Sequence, residues 1–337
     1  MKKKISIIVP CYNVESYLER CVLSLVRQTI GLEALELIFV NDASQDNTWE
    51  VLKEYEKRYP EHIVLVDLPE NVKQGGARNI GLQYASSDYI GFVDADDWVE
   101  ASMFEKLYQR ANEYDCDMVC CKYMRVAEPV EMGRTGKVDR LCVISSVQQL
   151  KEAMLEGVEG GICCNIYRRS IIFDNQIFFP EGMFYEDNFW LPMLQLYIRR
   201  YYIIEEYLYN YYFNRNSTIT KRDSLHHLDR MVIELMKLEE FEKKGIYELL
   251  QDEIELRFLK LFFINTLHIL FTRFSTIPKG VFELMQATVL ERFPNYKKNP
   301  YIEERLNGVA KALLPLVEME VSPENLEMIA SQYRKAF

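Results

Sequence analysis

Two aspartates separated by a single residue follow an apolar stretch of the chain. Residues 89–93 are predicted to form a buried β-strand, and Asp94-Ala95-Asp96 comes directly after it. Two carboxylates at this spacing can hold a hard divalent cation, because such cations prefer oxygen ligands. A cation there can clamp a diphosphate and neutralise charge on a departing nucleotide. The alternative is an ordinary acidic turn, since turns favour Asp and D-x-D is a short pattern.

Two more polar clusters follow predicted strands, namely Pro10-Cys11-Tyr12-Asn13 and Asn41-Asp42-Ala43-Ser44. Strand and helix patterns alternate over the first 120 residues. This alternation predicts an α/β domain with a mostly parallel sheet covered by helices. Because ligands bind beyond the carboxyl ends of parallel strands, the three clusters are expected at one edge of the sheet. Asn13 is also placed to cap the helix that follows it.

A glycine-rich turn lies between the third and fourth predicted strands. Gly75 and Gly76 precede a short helix predicted over 77–83. Paired glycines allow close backbone approach, and a helix N-terminus favours anions. Arg78 could steady a phosphate or pair with a strand-end acid. A tight turn with Arg78 in a structural ion pair is the alternative.

A second acidic site, Glu186-Asp187, opens another predicted helix. Acids in this position often only complement the helix dipole. Set between aromatic residues, however, one carboxylate can be desolvated and act as a general base. The sequence chemistry leaves both interpretations open.

Charge and composition exclude several classes of protein. The net charge of −11 argues against nucleic acid as a partner and against a polybasic membrane anchor. The apolar run at 5–9 is too short for a signal peptide or a membrane span. Residues 261–271 are interrupted by Asn265 and His268, which predicts a buried or interfacial helix. We therefore expect a cytoplasmic protein whose eight cysteines are buried free thiols.

The pattern becomes helical after about residue 225. Residues 128–140 read as a polar loop or hairpin, and the change near 222–228 predicts a domain boundary. We expect a catalytic domain over 1–222, with a nucleotide-binding half at about 1–125 and an acceptor half at about 126–222. Residues 223–337 are expected to form a helical C-terminal region, whose apolar stripes are typical of a core.

These motifs together resemble glycosyltransferase family 2, whose members share the GT-A fold, a Rossmann-like α/β architecture. The matching strings lie in the family's order over roughly residues 5–215. They are Ser6–Asn13, Val40–Ser44 with Asp46 and Thr48, Gly75–Asn79, Phe92–Asp97 and Tyr185–Asp187. Each string is modest, and their combination is specific.

The resemblance implies a nucleotide-sugar donor and favours a UDP-sugar, and it does not define which sugar is transferred. In the family pattern Asp42 bonds the nucleotide base, Asp94 lies near the ribose, and Asp96, with Asp94, binds Mn²⁺ or Mg²⁺ on the diphosphate. The resemblance extends the donor pocket to further residues: Pro10, Tyr12, Asn13, Asn71, Gly76, Arg78, Ala95 and the late basic residue Arg215.

The resemblance also implies inversion at the anomeric carbon in one displacement. Asp187 is then the base that deprotonates the acceptor hydroxyl, and Glu186 orients the acceptor or the neighbouring loop. Family habit suggests a saccharide or lipid-linked saccharide acceptor in bacterial surface polysaccharide or glycoconjugate synthesis. The segment 163–169 lacks the Trp and Lys that many relatives have there, which leaves the acceptor undefined.

Three alternatives stay open from the sequence. A sugar nucleotidyltransferase would carry a Gly-rich basic loop after the first strand, where this chain has Pro10–Asn13. A non-catalytic scaffold on a transferase-like domain is the second alternative, because fold does not prove activity. The C-terminal helices could cap the acceptor cleft, contact another subunit, or hold the protein peripherally at the inner face of the membrane.

Overall fold

The structure is a computed structural model that describes residues 2–127, 133, 135–157, 161–213 and 221–336. The chain divides into two compact units, Met1–Asn214 and Arg215–Phe337. The sequence predicts a boundary slightly later, near 222. The assignment of the first unit as the catalytic domain, with its two halves, stays a prediction.

The described residues of the first unit contain one nine-stranded sheet. Its strands are β1 (Ile5–Cys11), β2 (Leu35–Asn41), β3 (Ile63–Asp67), β4 (Tyr89–Phe92), β5 (Trp98–Val99), β6 (Met118–Val126), β7 (Arg140–Val143), β8 (Asn165–Arg168) and β9 (Arg200–Tyr212). The order across the sheet is β3-β2-β1-β4-β8-β6-β9-β5, and β7 pairs with β9.

The sheet is mixed, and its parallel part is the N-terminal one. β1 pairs in parallel with β2 and β4, and β2 pairs in parallel with β3. β8 runs antiparallel to β4 and β6, whereas β6 and β9 are parallel. The α/β architecture expected from the alternating pattern is confirmed, and the carboxyl ends of β1, β2 and β4 lie at one edge.

Seven helices of the first unit lie in the described residues. They are α1 (Glu15–Val26), α2 (Thr48–Arg58), α3 (Lys73–Tyr84), α4 (Met103–Glu113), α5 (Val147–Glu156), α6 (Arg169–Asp174) and α7 (Asp187–Gln195). α3 begins four residues earlier than predicted. Gly75 and Gly76 therefore lie inside its first turn and not before the helix, which corrects the sequence prediction.

The core of the first unit is formed by the strands of the parallel part. All seven residues of β1 are buried, and β2 is buried except at Glu36. Near-continuous burial is expected when helices cover both faces of a parallel sheet. Leu18, Val22 and Leu25 are the apolar positions that α1 buries, at the i, i+4 and i+7 spacing of one helix face. This packing fixes the loops that follow each strand.

The second unit is helical in its described part, as the sequence predicts. Its helices are α8 (Asp229–Lys243), α9 (Gln251–Phe258), α10 (Asn265–Arg273), α11 (Val281–Arg292), α12 (Tyr301–Arg305), α13 (Gly308–Leu313) and α14 (Pro323–Ala336). A π-helical segment, Leu259–Ile264, joins α9 to α10. Phe262 and Phe263 are buried in this segment, and Leu267 is buried in α10. Among the described residues no helix is both long and apolar enough to span a bilayer.

Candidate active site

The loops after β1 and β2 hold each other through side chains. The Val14 N–H donates to Thr48 Oγ1 at 2.9 Å, and the Glu15 N–H donates to Asp46 Oδ2 at 3.1 Å. The start of α1 is therefore satisfied by residues of the second loop. Asn13 does not cap α1, contrary to the sequence prediction, because its Oδ1 accepts from the Gln45 N–H at 2.7 Å.

Asp42 lies at the end of β2, where its carboxylate fixes the start of α3. Its Oδ1 accepts from the Val72 N–H at 2.7 Å, and its carbonyl oxygen accepts from Asn71 Nδ2 at 3.2 Å. Burial raises the pKa of Asp42, while the N–H groups of Val72 and Lys73 act to lower it. Asp42 and Asn71, two predicted site residues from different loops, are thus in contact.

The acidic turn after β4 is fastened to β9. Asp97 is 1% exposed, and its Oδ2 accepts from the Tyr209 hydroxyl at 2.5 Å. Its Oδ1 accepts from the Tyr212 N–H at 2.7 Å. Burial, together with Asp94 and Asp96, raises the pKa of Asp97. Both oxygens of Asp97 are occupied, so this carboxylate positions the turn.

Asp94 and Asp96 are the two carboxylates of the turn that remain accessible to a ligand. The Asp94 side chain is 28% exposed, and its Oδ1 accepts from Arg78 Nη2 at 2.8 Å. No side chain of the described residues donates a hydrogen bond to the Asp96 carboxylate. Burial and the charge of Asp94 raise the pKa of Asp96. The guanidinium of Arg20, which donates to the Asp96 carbonyl oxygen at 2.9 Å, acts to lower this pKa but does not outweigh them.

The donor set of this turn fits a hard divalent cation. Asp96 and Asp94 supply oxygen ligands, whereas no cluster of three or more His, Cys, Asp or Glu suited to a metal occurs in the described part of the chain. Mg²⁺-type ions are commonly held by one or two carboxylates together with substrate phosphates and water. The residues present match that mode of binding and do not form a closed protein cage.

Arg78 joins the turn after β4 to the start of α7. Its guanidinium is 2% exposed and donates from Nη2 to Asp94 and from Nη1 to Glu186 Oε1. Burial acts to lower the pKa of Arg78, but the two carboxylates outweigh it and raise the pKa. The guanidinium therefore stays positively charged. Of the roles that the sequence left open for Arg78, the ion pair with a strand-end acid is the one observed.

The segment before α7 is held on α3 by backbone and side-chain contacts. Asn79 Nδ2 donates to the Phe179 carbonyl oxygen at 2.8 Å, and Asn79 Oδ1 accepts from the Phe179 N–H at 2.8 Å. A Cβ at position 75 would overlap the carbonyl oxygen of Pro180. Glycine therefore allows this segment to approach α3, which brings Glu186 onto Arg78.

Asp187 is the first residue of α7 and is half-buried beside this ion-pair chain. Its Oδ1 accepts from the Asn188 N–H at 3.0 Å. Burial raises the pKa of Asp187, Arg78 acts to lower it, and Asp94 raises it further. A carboxylate with a raised pKa is a better proton acceptor than an ordinary aspartate, so general-base chemistry is within its reach.

Strained backbone is concentrated around the same loops. Four non-glycine residues of these loops have φ between +53° and +66°, namely Asn13, Ala43, Lys73 and Tyr185. Positive φ costs free energy in residues with a Cβ, and such strain is common at functional sites. Lys73 also places its ammonium 4.8 Å from the centre of the Phe184 ring. The loops after β1 and β2, the first residue of α3 and the loop before α7 are thus held in unfavourable conformations by their surroundings.

The structure brings together most of the residues that the motifs predict. Asp42 with Asn71 forms one group, and Asp94 with Arg78 and Glu186 forms another. Tyr12, which follows β1, is 48% exposed, whereas Pro10 and Ala95 are buried. Gly76 packs on Val72. Arg215 lies outside the described residues.

Sequence reasoning missed two residues that organise the site. Tyr209 lies in an aromatic segment without a recognisable motif, and Asn79 was noted only as part of a string. Alternating tyrosines at 207, 209 and 211 were the available signal for a strand with one buried face. That signal predicts a strand and does not identify the hydroxyl that reaches Asp97.

Solved structures with a similar fold support the GT-A class. The chain superimposes on S. aureus TarS in complex with UDP-GlcNAc with a TM-score of 0.61 and 20% sequence identity, covering 99% of this chain and 92% of that one. The UDP complex of TarS gives a TM-score of 0.63. At this identity the likeness shows the fold, which is of the GT-A type.

The family follows from sequence. Residues 6–174 match the family model described as glycosyl transferase family 2, so the chain belongs to this family. The uncharacterized glycosyltransferase YibD of Escherichia coli (strain K12) is 32% identical over 219 residues, covering 64% of this chain and 62% of YibD. EpsJ of Bacillus subtilis (strain 168), also described as an uncharacterized glycosyltransferase, is 33% identical over 217 residues, covering 63% of this chain and 62% of EpsJ.

A third relative is named for the biosynthesis of a teichoic acid. The minor teichoic acid biosynthesis protein GgaB of Bacillus subtilis (strain 168) is 32% identical over 208 residues. This match covers 61% of the present chain and 22% of GgaB. The three matches thus span less than two thirds of each relative.

Proposed function

We propose that the protein is an inverting glycosyltransferase that moves a sugar from a nucleoside diphosphate donor, favoured to be a UDP-sugar, to an acceptor hydroxyl. The observation that carries this proposal is the double ion pair of Arg78 with Asp94 and Glu186. It couples a carboxylate at the sheet edge, where donors bind in this architecture, to the helix that begins with Asp187.

The donor side uses the loops after β1, β2 and β4. Asp42, with its raised pKa, offers a buried hydrogen-bonding carboxyl to a nucleotide base, and Tyr12 supplies an exposed ring at the same edge. Asp94 lies further along the edge for the ribose. The UDP-GlcNAc bound by TarS supports a uridine nucleotide as the donor.

Asp96 and Asp94 are the residues that would hold Mn²⁺ or Mg²⁺. The bound cation supplies Lewis-acid stabilisation of the leaving diphosphate. Asp97 and Tyr209 keep the carboxylates of Asp94 and Asp96 in place, because their hydrogen bond fastens this turn to β9. The late basic residue Arg215 would act on the same phosphates.

On the acceptor side Asp187 is the proposed base. Its raised pKa favours removal of the proton from the acceptor hydroxyl as that oxygen attacks the anomeric carbon. Attack from the face opposite the leaving diphosphate inverts the configuration. Glu186 is a positioning residue, because its contact is with Arg78 and not with the reacting atoms. A positioned base contributes roughly 10²–10⁴-fold to the rate.

The acceptor is proposed to be a growing surface polysaccharide or glycoconjugate, free or lipid-linked. This proposal is supported by GgaB, whose name places it in minor teichoic acid biosynthesis. A location in the cytoplasm, with peripheral contact to the membrane or to a second subunit through the helices of the second unit, is part of the proposal.

The first experiment is a thermal-shift series of the purified protein with UDP, GDP, ADP and CDP, each with and without Mn²⁺. A ligand at 100 times its dissociation constant stabilises the native state by about 2.7 kcal/mol. We expect UDP with Mn²⁺ to raise the melting temperature and Asp96→Ala to abolish the metal-dependent part. Asp88→Ala is the matched control, because Asp88 is an exposed aspartate paired with Lys2.

The products distinguish the proposed reaction from its rivals. Incubation with UDP-sugars and an acceptor panel should release UDP. A second incubation, with UTP and a sugar 1-phosphate, would release pyrophosphate if the protein were a sugar nucleotidyltransferase. If none of the nucleotides binds with Mn²⁺ present, the donor site is wrong and a non-catalytic role gains support.

A further inference from the structure

Lys73 has a backbone conformation that glycine would adopt without strain. It is the first residue of α3, and its φ is +66°. A Cβ makes a positive φ unfavourable, whereas glycine adopts it freely. Glycine is present two and three positions later, at Gly75 and Gly76, where a Cβ would overlap neighbouring atoms. A lysine that keeps a strained backbone in this turn indicates that its side chain has a role.

The backbone at Lys73 is bound to the donor side of the proposed site. The Val72 N–H donates to Asp42 Oδ1 at 2.7 Å. The Lys73 N–H is bonded to the same carboxylate, and both N–H groups act to lower the pKa of Asp42. The start of α3 is therefore fastened to the loop after β2, and it is a fixed point from which a side chain can hold another segment.

The same two residues contact the segment 182–186, which precedes α7. The Gly182 N–H donates to the Val72 carbonyl oxygen at 3.4 Å. Lys73 Nζ lies 4.8 Å from the centre of the Phe184 ring. A cation within about 6 Å of a ring centre is attracted by the negative face of the ring. Within the part of the chain that the structure describes, no carboxylate forms an ion pair with Lys73. The ring is thus a specific contact of this ammonium.

The segment 182–186 continues directly into the acid pair that opens α7. Phe184 is followed by Tyr185, whose φ is +65°, and then by Glu186, which bonds Arg78. Arg78 therefore fixes the end of the segment, and Lys73 contacts its middle. A residue with a Cβ keeps a positive φ only where the surrounding contacts hold it there. The contact from Lys73 is placed to maintain this conformation.

We propose that Lys73 is a positioning residue for the acceptor side of the site. Its ammonium holds the Phe184 ring, and with it the segment 182–186, against the start of α3, so that Asp187 stays where an acceptor hydroxyl can reach it. The inference rests on the proposed function, because that function gives Asp187 its role as the base. Glycine at position 73 would relieve the backbone strain and lose the contact. Stability and positioning should therefore respond differently to substitution.

The test is hydrogen–deuterium exchange of the N–H groups of 182–186, measured by mass spectrometry on the full chain without ligand. Lys73→Met keeps the length of the side chain and lacks its charge, so exchange should become about two- to fivefold faster. Lys73→Arg should restore the parent rate. Lys73→Gly should exchange as fast as Lys73→Met but have a higher urea midpoint, because glycine removes the strain. Gln176→Gly is the control, since Gln176 is exposed, has a φ of +53° and lies outside the segment. It should raise the urea midpoint without changing exchange at 182–186.

Stabilisation by UDP with Mn²⁺, measured on the same samples, should be equal in the parent and the Lys73 variants. Unchanged exchange at 182–186 in Lys73→Met would overturn the proposal. It would also be overturned if Lys73→Arg failed to restore the parent rate, or if Lys73→Met weakened UDP binding and left exchange unaltered, which would place the ammonium on the nucleotide. Absence of UDP binding in the parent would contradict the proposed function, whereas the exchange rates would still decide whether Lys73 holds the segment.

Discussion

Tyr209 and Asp97 form a buried hydrogen bond of 2.5 Å that ties the C-terminal part of β9 to the acidic turn after β4. The same hydroxyl accepts from the Asp94 N–H at 3.2 Å. One phenol oxygen therefore contacts both ends of the sequence Asp94–Asp97. The carboxylates proposed to hold the cation are positioned by a residue more than 100 positions away in the chain.

Tyr209→Phe should loosen this turn without removing a carboxylate. The variant leaves the Asp94 N–H and one oxygen of Asp97 without their partner, which costs about 1–3 kcal/mol. We expect lower stability by urea unfolding and weaker Mn²⁺-dependent stabilisation by UDP. Tyr211→Phe is the control, since Tyr211 is on the same strand but only half-buried. Unchanged metal dependence in Tyr209→Phe would show that the turn holds its shape without the hydroxyl.

Arg78→Met should be strongly destabilising, because it leaves the Asp94 and Glu186 carboxylates without their shared cation. Removal of one member of a buried ion pair costs about 3–5 kcal/mol. Arg78→Lys should recover only part of the loss, since an ammonium lacks the two-armed geometry of a guanidinium. Urea unfolding of Arg78→Met, Glu186→Gln and the double variant forms a cycle.

The coupling free energy of this double-mutant cycle has a definite expected sign. Glu186→Gln removes one of the charges that Arg78 compensates, so the double variant should be more stable than the sum of the single changes predicts. Strict additivity would mean that the pair contributes nothing beyond packing.

Gly75→Ala should displace the segment that carries Glu186 and Asp187. The added methyl group would overlap the Pro180 carbonyl oxygen, and overpacking of this kind costs about 1–3 kcal/mol. Turnover should fall more than UDP binding does, because the displaced segment belongs to the acceptor side. Gly308→Ala is the control, since nothing lies within 4 Å of a Cβ there. Equal losses of binding and turnover would contradict this division of the site.

The strand-end positions were predictable from sequence because they depend on local pattern. Short apolar runs followed by Asp42 and by Asp94 located two of the loops that form the site, because parallel strands end at the same side of a sheet. The Glu186-Asp187 pair was also recognisable, because an acid pair opening a helix has a local signature.

The contacts that complete the site were not predictable, because they join distant parts of the chain. Nothing local indicates that Arg78 lies between Asp94 and Glu186. Glu186 is 108 residues beyond Arg78 in the chain. The short strand β8 and the antiparallel pairing around it were missed for a similar reason. Asn165-Ile166-Tyr167-Arg168 has no alternating pattern, and this strand is defined by its neighbours β4 and β6.

Asp187→Asn should abolish turnover while leaving the fold intact or more stable at neutral pH. Burial raises the pKa of Asp187, so the folded protein binds this proton more tightly than the unfolded chain does. The contribution of Asp187 to the stability of the parent protein is therefore lost as the pH rises from the ordinary aspartate range through the raised pKa. The gain in stability of Asp187→Asn over the parent should grow across that window and level off above it. Urea unfolding of both proteins at a series of pH values measures this difference, and turnover of the parent should fall as the pH drops through the same raised pKa. A difference in stability that does not depend on pH would show that Asp187 titrates normally, which would remove the physical basis for its role as the base.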